Sequence, residues 1–124
     1  METFPYTIEY YITGRGEKPF KKWLDGLEDI YARNTVRIRL DRVRLGNFGD
    51  IRPVGEGVYE LRIDYGPGYR VYYAREGKAV VLLLLGGDKS SQRKDIAKAR
   101  EYWMDHLRRK KNEKKDKHIS RRPD

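Results

Sequence analysis

The chain contains no cysteine, so neither a disulfide nor a thiolate-bound metal centre can form. That fits a reducing cytoplasm, where disulfides are rare. Histidine is almost missing as well. His106 and His118 are the two present, and isolated imidazoles do not make a metal site. Both are expected at the surface rather than in catalysis, and no metal or cofactor is expected. Long apolar runs are also lacking. The longest, Ala79 to Leu85, is strand length, far short of the roughly 20 residues of a membrane span, so no membrane partner is expected. The first residues, Met-Glu-Thr-Phe-Pro-Tyr, lack a basic patch leading into an apolar stretch, so no secretory leader is expected. Together these absences lead to the expectation of a cytoplasmic protein. None of the glycine pairs matches a nucleotide-binding loop, which removes ATP from consideration.

What is present is charge, and it is unevenly spread. The 124 residues suffice for one domain and one core. The formal net charge is +9. Residues 108–124 hold nine Lys/Arg and three acids, a net +6, which leaves +3 for residues 1–107. The chain therefore divides into a folded domain over residues 1–107 and a basic tail over 108–124, expected to be disordered and solvated. Basic proteins favour nucleic acids and other anionic surfaces through counterion release.

Tyr6 to Thr13 is rich in Tyr, Ile and Thr and stops at Gly14-Arg15-Gly16, a strand followed by a turn. Pro19 suits the first turn of a helix, and Phe20, Trp23, Leu24, Leu27 and Tyr31 repeat at helical spacing. A second helix is expected from about Ile30 to Leu45, with Val36, Leu40 and Val43 as its apolar stripe and Gly46-Asn47-Phe48-Gly49 as its stop. The period then changes to 2. Asp50–Val54 reads as a short strand kept near an edge by Pro53. Val58–Asp64 and Tyr69–Ala74 read as alternating strands, and Val80–Leu85, apolar on both faces, as a central one. Short turns join the last three into an antiparallel meander. Ile96, Ala99, Trp103 and Leu107 mark a last helix, with Asp88, Ser90 or Ser91 able to cap it. The expected class is α+β: N-terminal strand, two helices, antiparallel β-meander, C-terminal helix and basic tail.

Three cations can converge at one end of this sheet. Arg62 and Arg70 sit on neighbouring strands, and Lys89 lies where the last strand meets a helix. Arginine grips phosphate bidentately and stays charged at any relevant pH. Surface arginines paired with Glu60 or Asp64 would give the same pattern. Register discriminates between the two. An even loop of Tyr65–Gly68 would put Arg62 and Arg70 on opposite faces, whereas an odd loop or a bulge would put them on one face. Around Lys89, free amides and the helix dipole favour an anion, Gly86 and Gly87 allow a ligand close to the backbone, and Ser90, Ser91 and Gln92 add donors. Glu60 shares a strand face with Arg62. A carboxylate beside cations stays ionised and can accept a proton. Asp95, on the first turn of the last helix, is a further acid close to Lys89. Of the ten tyrosines, Tyr59, Tyr65, Tyr69, Tyr72 and Tyr73 cluster at the hairpin, where those on the polar face can stack on unpaired bases.

Gly46-Asn47-Phe48-Gly49-Asp50, Glu60 through Tyr73, and Leu85-Gly86-Gly87-Asp88-Lys89-Ser90-Ser91-Gln92 together resemble the RelE/ParE superfamily of toxins from type II toxin–antitoxin modules. The likeness covers about residues 6–107 and is nearest to the addiction-module killer subgroup, which is HigB-like. It implies a RelE-like fold and a metal-independent, ribosome-dependent mRNA endonuclease that inhibits translation. The mRNA 2′-hydroxyl attacks the adjacent phosphate, leaving a 2′,3′-cyclic phosphate and a 5′-hydroxyl. It also implies partners: a cognate antitoxin that forms a toxin–antitoxin hetero-oligomer, the ribosome and mRNA. By the resemblance Arg70 matches the arginine that stabilises the pentavalent phosphate. Lys89 falls near a second basic position, and Arg62 matches one of two basic strand positions. The other of these is Glu60 here, which makes Glu60 the expected base. The catalytic tyrosine of some members is replaced by Asp95 or its neighbours. The expected site is therefore Arg70, Lys89, Glu60 and Arg62 for catalysis, with Arg62, Lys89, Ser90, Ser91 and Tyr72 on RNA. The alternative is a ParE-like inhibitor of DNA gyrase without nuclease activity.

Overall fold

The computed structural model describes residues 4–120, with side chains through residue 116. Strand β1 (Thr7–Tyr10) leads into helices α1 (Pro19–Asp25) and α2 (Ile30–Arg44). Four strands follow: β2 (Ile51–Gly55), β3 (Val58–Ile63), β4 (Tyr69–Glu76) and β5 (Val80–Asp88). A single 3-10 turn (Lys89–Ser91) opens helix α3 (Gln92–Ser120).

The five strands form one mixed sheet in the order β1-β5-β4-β3-β2. β2 to β5 make the expected antiparallel meander, and β2, which carries Pro53, lies at an edge. β1 pairs parallel to β5, so the sheet is not purely antiparallel. α1 and α2 carry the chain from β1 across one sheet face to β2 at the opposite edge, and the meander then leads back to β5 beside β1. β5 runs three residues beyond Leu85 and keeps its central place between β1 and β4.

Local chemistry sets the helix ends. Pro19 occupies the first turn of α1, and the Asp29 carboxylate accepts the Tyr31 amide at the start of α2. The inward stripe of α2 is Ala32, Val36, Leu40 and Val43. With Phe20 and Leu24 of α1 it covers Leu61, Ile63, Val71, Tyr73, Val81 and Leu83 on one sheet face. On the other face Ala99 and Trp103 of α3 pack on Val54, Val58, Tyr72, Ala74, Leu82 and Leu84. The sheet is thus sandwiched between helix layers, with an apolar core on each side.

Helix α3 departs from expectation at its C-terminus. At the boundary placed at 107/108 the helix does not stop, and α3 runs on to Ser120. The stretch 108–120 holds no Gly or Pro and is rich in Lys and Arg, both good helix formers. Arg109 also pairs with Asp105 one turn back. Residues 121–124 of the expected tail, and the His118 side chain, lie outside the described residues.

The consecutive glycines near the end of β5 have a packing cause. A Cβ on Gly86 would stand 2.1 Å from a Trp23 ring carbon, and one on Gly87 would stand 1.9 Å from Asp95 Oδ2. The protein's own side chains, one from α1 and one from α3, fill the space that the sequence reading reserved for a ligand. Gly87→Ala is expected to cost about 1–3 kcal/mol by overpacking, measured as a lower Tm. In an Asp95→Ala background the same change should cost much less. An equal cost in both backgrounds would show that Asp95 is not the obstacle.

Candidate functional site: an arginine cluster around a buried carboxylate

Ile63 pairs with Tyr69 across the β3–β4 turn, so the loop is Asp64–Gly68, an odd count. Arg62 therefore lies directly opposite Arg70, and Arg70 opposite Gly87 on β5. Directly opposed residues share a face, so both arginines point to the α3 side. In the next row Arg52, Glu60, Tyr72 and Leu85 stand side by side on β2, β3, β4 and β5.

Two arginines facing each other across strands repel unless a counter-charge holds them. Glu60 supplies it from the centre of the cluster, where its side chain is fully buried. Its Oε1 accepts from Arg52 Nε at 3.0 Å and Arg62 Nε at 3.1 Å. Its Oε2 accepts from Gln92 Nε2 at 2.8 Å and the Tyr72 hydroxyl at 3.2 Å, and Arg70 Nε stands 3.8 Å away. Burial pushes the Glu60 carboxyl up, but the Gln92 and Arg62 hydrogen bonds and the charges of Arg52 and Arg70 outweigh it, so the carboxyl is held below its ordinary range. A carboxylate offers about four lone-pair sites, and here four donors occupy them. The expected proton acceptor is therefore saturated.

Arg70 is the least satisfied member. It is 8% exposed, and its Nε is buried with no hydrogen-bond acceptor. Its ionic partner among the described residues is Glu60. The cluster sets three guanidinium groups against one carboxylate. That excess charge suits an anion.

The remaining expected residues fall around this centre. Lys89 is exposed on the 3-10 turn. Its Cβ is 3.6 Å from where a Gly68 Cβ would stand, which places it beside the β3–β4 turn at the rim of the cluster. Ser90 gives its amide and hydroxyl to Asp88, whose carboxyl is held low first by the Ser90 hydroxyl. Ser91 turns inward and donates to Asp95 at 2.5 Å. Burial pushes Asp95 up, opposed by that Ser91 hydrogen bond. Tyr72 is fully buried with its hydroxyl on Glu60. No face of its ring is open to a base, which corrects the expectation that it contacts RNA. Burial, and then the Glu60 charge, push its phenol up. His106 packs flat on Trp103 and pairs with Glu76 at 2.5 Å, away from the cluster.

Arg52 is the member that the sequence reading missed. The turn signal Gly55-Glu56-Gly57 was available. Paired outward from that turn without a break, Pro53 would face Glu60; a register shift between Pro53 and Gly55 sets Arg52 there instead.

The fold and site define an α+β protein with a preorganised cationic centre on one sheet face. Residues 22–104 match the model of the family described as Phage derived protein Gp49-like (DUF891). An uncharacterized protein of Haemophilus influenzae is 48% identical over 81 residues, covering 65% of this chain and 82% of that one. The chain belongs to the Gp49-like family, which is associated with toxin–antitoxin modules. Among the described residues no helix is long and apolar enough to cross a membrane.

The lowered Glu60 carboxyl fixes a pH dependence. Its stabilising contribution is complete above the ordinary Glu value of about 4.3 and is lost as pH falls through the lower folded value. Glu60→Gln should therefore cost about 2 kcal/mol at neutral pH, after discounting for solvent around Arg52 and Arg62. The Tm gap to the wild type should narrow below about pH 4. A gap that is constant from neutral to acid pH would show that the charge of Glu60 is not what holds the cluster.

Proposed function

We propose that this protein is the toxin of a type II toxin–antitoxin module and that it cuts mRNA, on the ribosome, without a metal ion. The observation that carries the reading is the buried Arg70 guanidinium, short of acceptors and held beside Arg62 by Glu60. Attack of an RNA 2′-oxygen on the neighbouring phosphorus forms a pentavalent phosphorane with added negative charge. The 5′-oxygen then leaves with its bonding pair and takes up a proton, while the 2′-hydroxyl proton passes to solvent. The products are a 2′,3′-cyclic phosphate and a 5′-hydroxyl.

Fixed cations aimed at the developing charge lower such a barrier without reorganising during the reaction. Arg70 and Lys89 would stabilise the phosphorane, and Arg62 would seat the backbone. Glu60 serves as a positioning residue in this scheme, since its lone pairs are already committed to Arg52, Arg62, Tyr72 and Gln92. An antitoxin that covers the cationic face would silence the protein and form a hetero-oligomer with it.

The test is induction in cells without the antitoxin, followed within minutes by mapping of mRNA 5′ ends. New 5′-hydroxyl ends inside translated reading frames are expected. Arg70→Ala should reduce their formation by roughly 10²–10³-fold, with the far-UV CD spectrum retained. Arg70→Lys keeps the charge but loses the planar fork and should recover only part of the activity. Growth arrest without new ends would replace this reading with inhibition of DNA gyrase, and full toxicity of Arg70→Ala at equal expression would remove the assignment of the site.

A further inference from the structure

Beyond Trp103, its last core residue, α3 leaves the domain core, and residues 108–116 are exposed throughout. They read Arg-Arg-Lys-Lys-Asn-Glu-Lys-Lys-Asp, a net +4. The family match ends at residue 104, so this arm is a feature of the chain outside the matched segment. We propose that the arm is a second RNA-binding element, which takes the phosphate backbone of a structured RNA at a distance from the arginine cluster. The inference rests on the RNA reading above and extends it to the size of the substrate.

Charge placement supports it. At about 100° per residue, Arg108, Lys111, Lys114 and Lys115 fall within an arc of roughly 120°. Arg109, Glu113 and Asp116 lie on the other side of the helix. Arg109 is tied to the Asp105 carboxylate and the Ile12 carbonyl, so that side is turned toward the domain. Among the described residues none of the four cations on the outer arc has an acid within salt-bridge distance. A face that served only for solvation would have no reason to separate its acids from its cations.

The composition also selects the partner. Residues 108–116 contain no apolar side chain, and the exposed apolar residues next to them are Met104 and Leu107 at the base of the arm, so the arm itself has no apolar face to bury in an acyl layer or in the core of a protein interface. What remains is attraction to a dense row of negative charges. The helix is the ruler. Gln92 holds Glu60 at the start of α3, and Lys111 lies nineteen residues further on, about 28 Å along the axis. A ligand bound at both ends must reach that far, which suits folded RNA and not a nucleotide or a short single strand.

The experiment uses the full chain with Arg108, Lys111, Lys114 and Lys115 all changed to Gln. None of the four side chains makes a hydrogen bond among the described residues, and CD checks that the fold is kept. Binding to an RNA hairpin with a stem of roughly 16 base pairs is followed by fluorescence anisotropy from low to physiological salt. The quadruple variant should bind about tenfold to a hundredfold more weakly, and its slope of log K against log salt should flatten by roughly 3. Arg70→Ala should flatten it by about 1 at most. Glu113→Gln with Asp116→Asn, which raises net charge on the inner side, should leave the slope unchanged. An unchanged slope in the quadruple variant overturns the proposal, and so does wild-type binding to anionic lipid vesicles but not to the hairpin. RNA cleavage in cells together with an unchanged slope removes the arm alone. A flattened slope without cleavage keeps the arm and removes the nuclease.

Discussion

The structure turns on one buried carboxylate. Removing Glu60 from water is costly, and so is placing two arginines face to face on adjacent strands. Each cost is offset by the other, because the guanidinium groups supply the charge that the carboxylate needs and it holds them in place. Gln92 and Tyr72 complete the shell from α3 and β4, so the first turn of α3 docks on the sheet through the same group. The cluster is therefore a structural joint before it is a site. With its lone pairs committed to Arg52, Arg62, Tyr72 and Gln92, Glu60 is the scaffold beside which Arg70 is held.

The same logic operates one strand away. Trp23 and Asp95 press on Gly86 and Gly87 from opposite faces of β5, so the helix layers meet the sheet closely near the cluster. The register between β4 and β5 shifts between Tyr72 and Tyr73, next to the tyrosine that holds Glu60. Cross-strand geometry, helix docking and guanidinium placement are thereby coupled. A change in packing at β5 should reach the arginines through rigid neighbours, since packed interiors transmit strain.

Much of this was legible in the residues. Periodicity placed the elements in order, and Pro53 marked the edge strand. The expectation that an odd loop or a bulge would align Arg62 with Arg70 identified the quantity that mattered, and the structure has the odd loop. What was not legible depended on partners distant in sequence. Nothing local distinguishes a buried Tyr72 from one that stacks on a base, because its fate is set by Glu60 on β3 and by the docking of α3. The glycines looked like room for a ligand because Trp23 lies sixty-three residues before Gly86. Charge density suggested a tail after residue 107, whereas the absence of helix breakers up to Pro123 was the stronger signal.

The surplus of positive charge is the remaining argument. Three guanidinium groups surround one carboxylate, and the most buried of them has an Nε without an acceptor. An incompletely paired buried cation destabilises a fold, and a sheet of this kind could fill that position with an apolar residue at lower cost. Groups that break a local rule without a compensating contact inside the protein are expected at functional sites. A phosphate at the cluster would supply the missing acceptors and balance the charge. The free protein would then pay in stability for a centre that is complete only when an anion is bound.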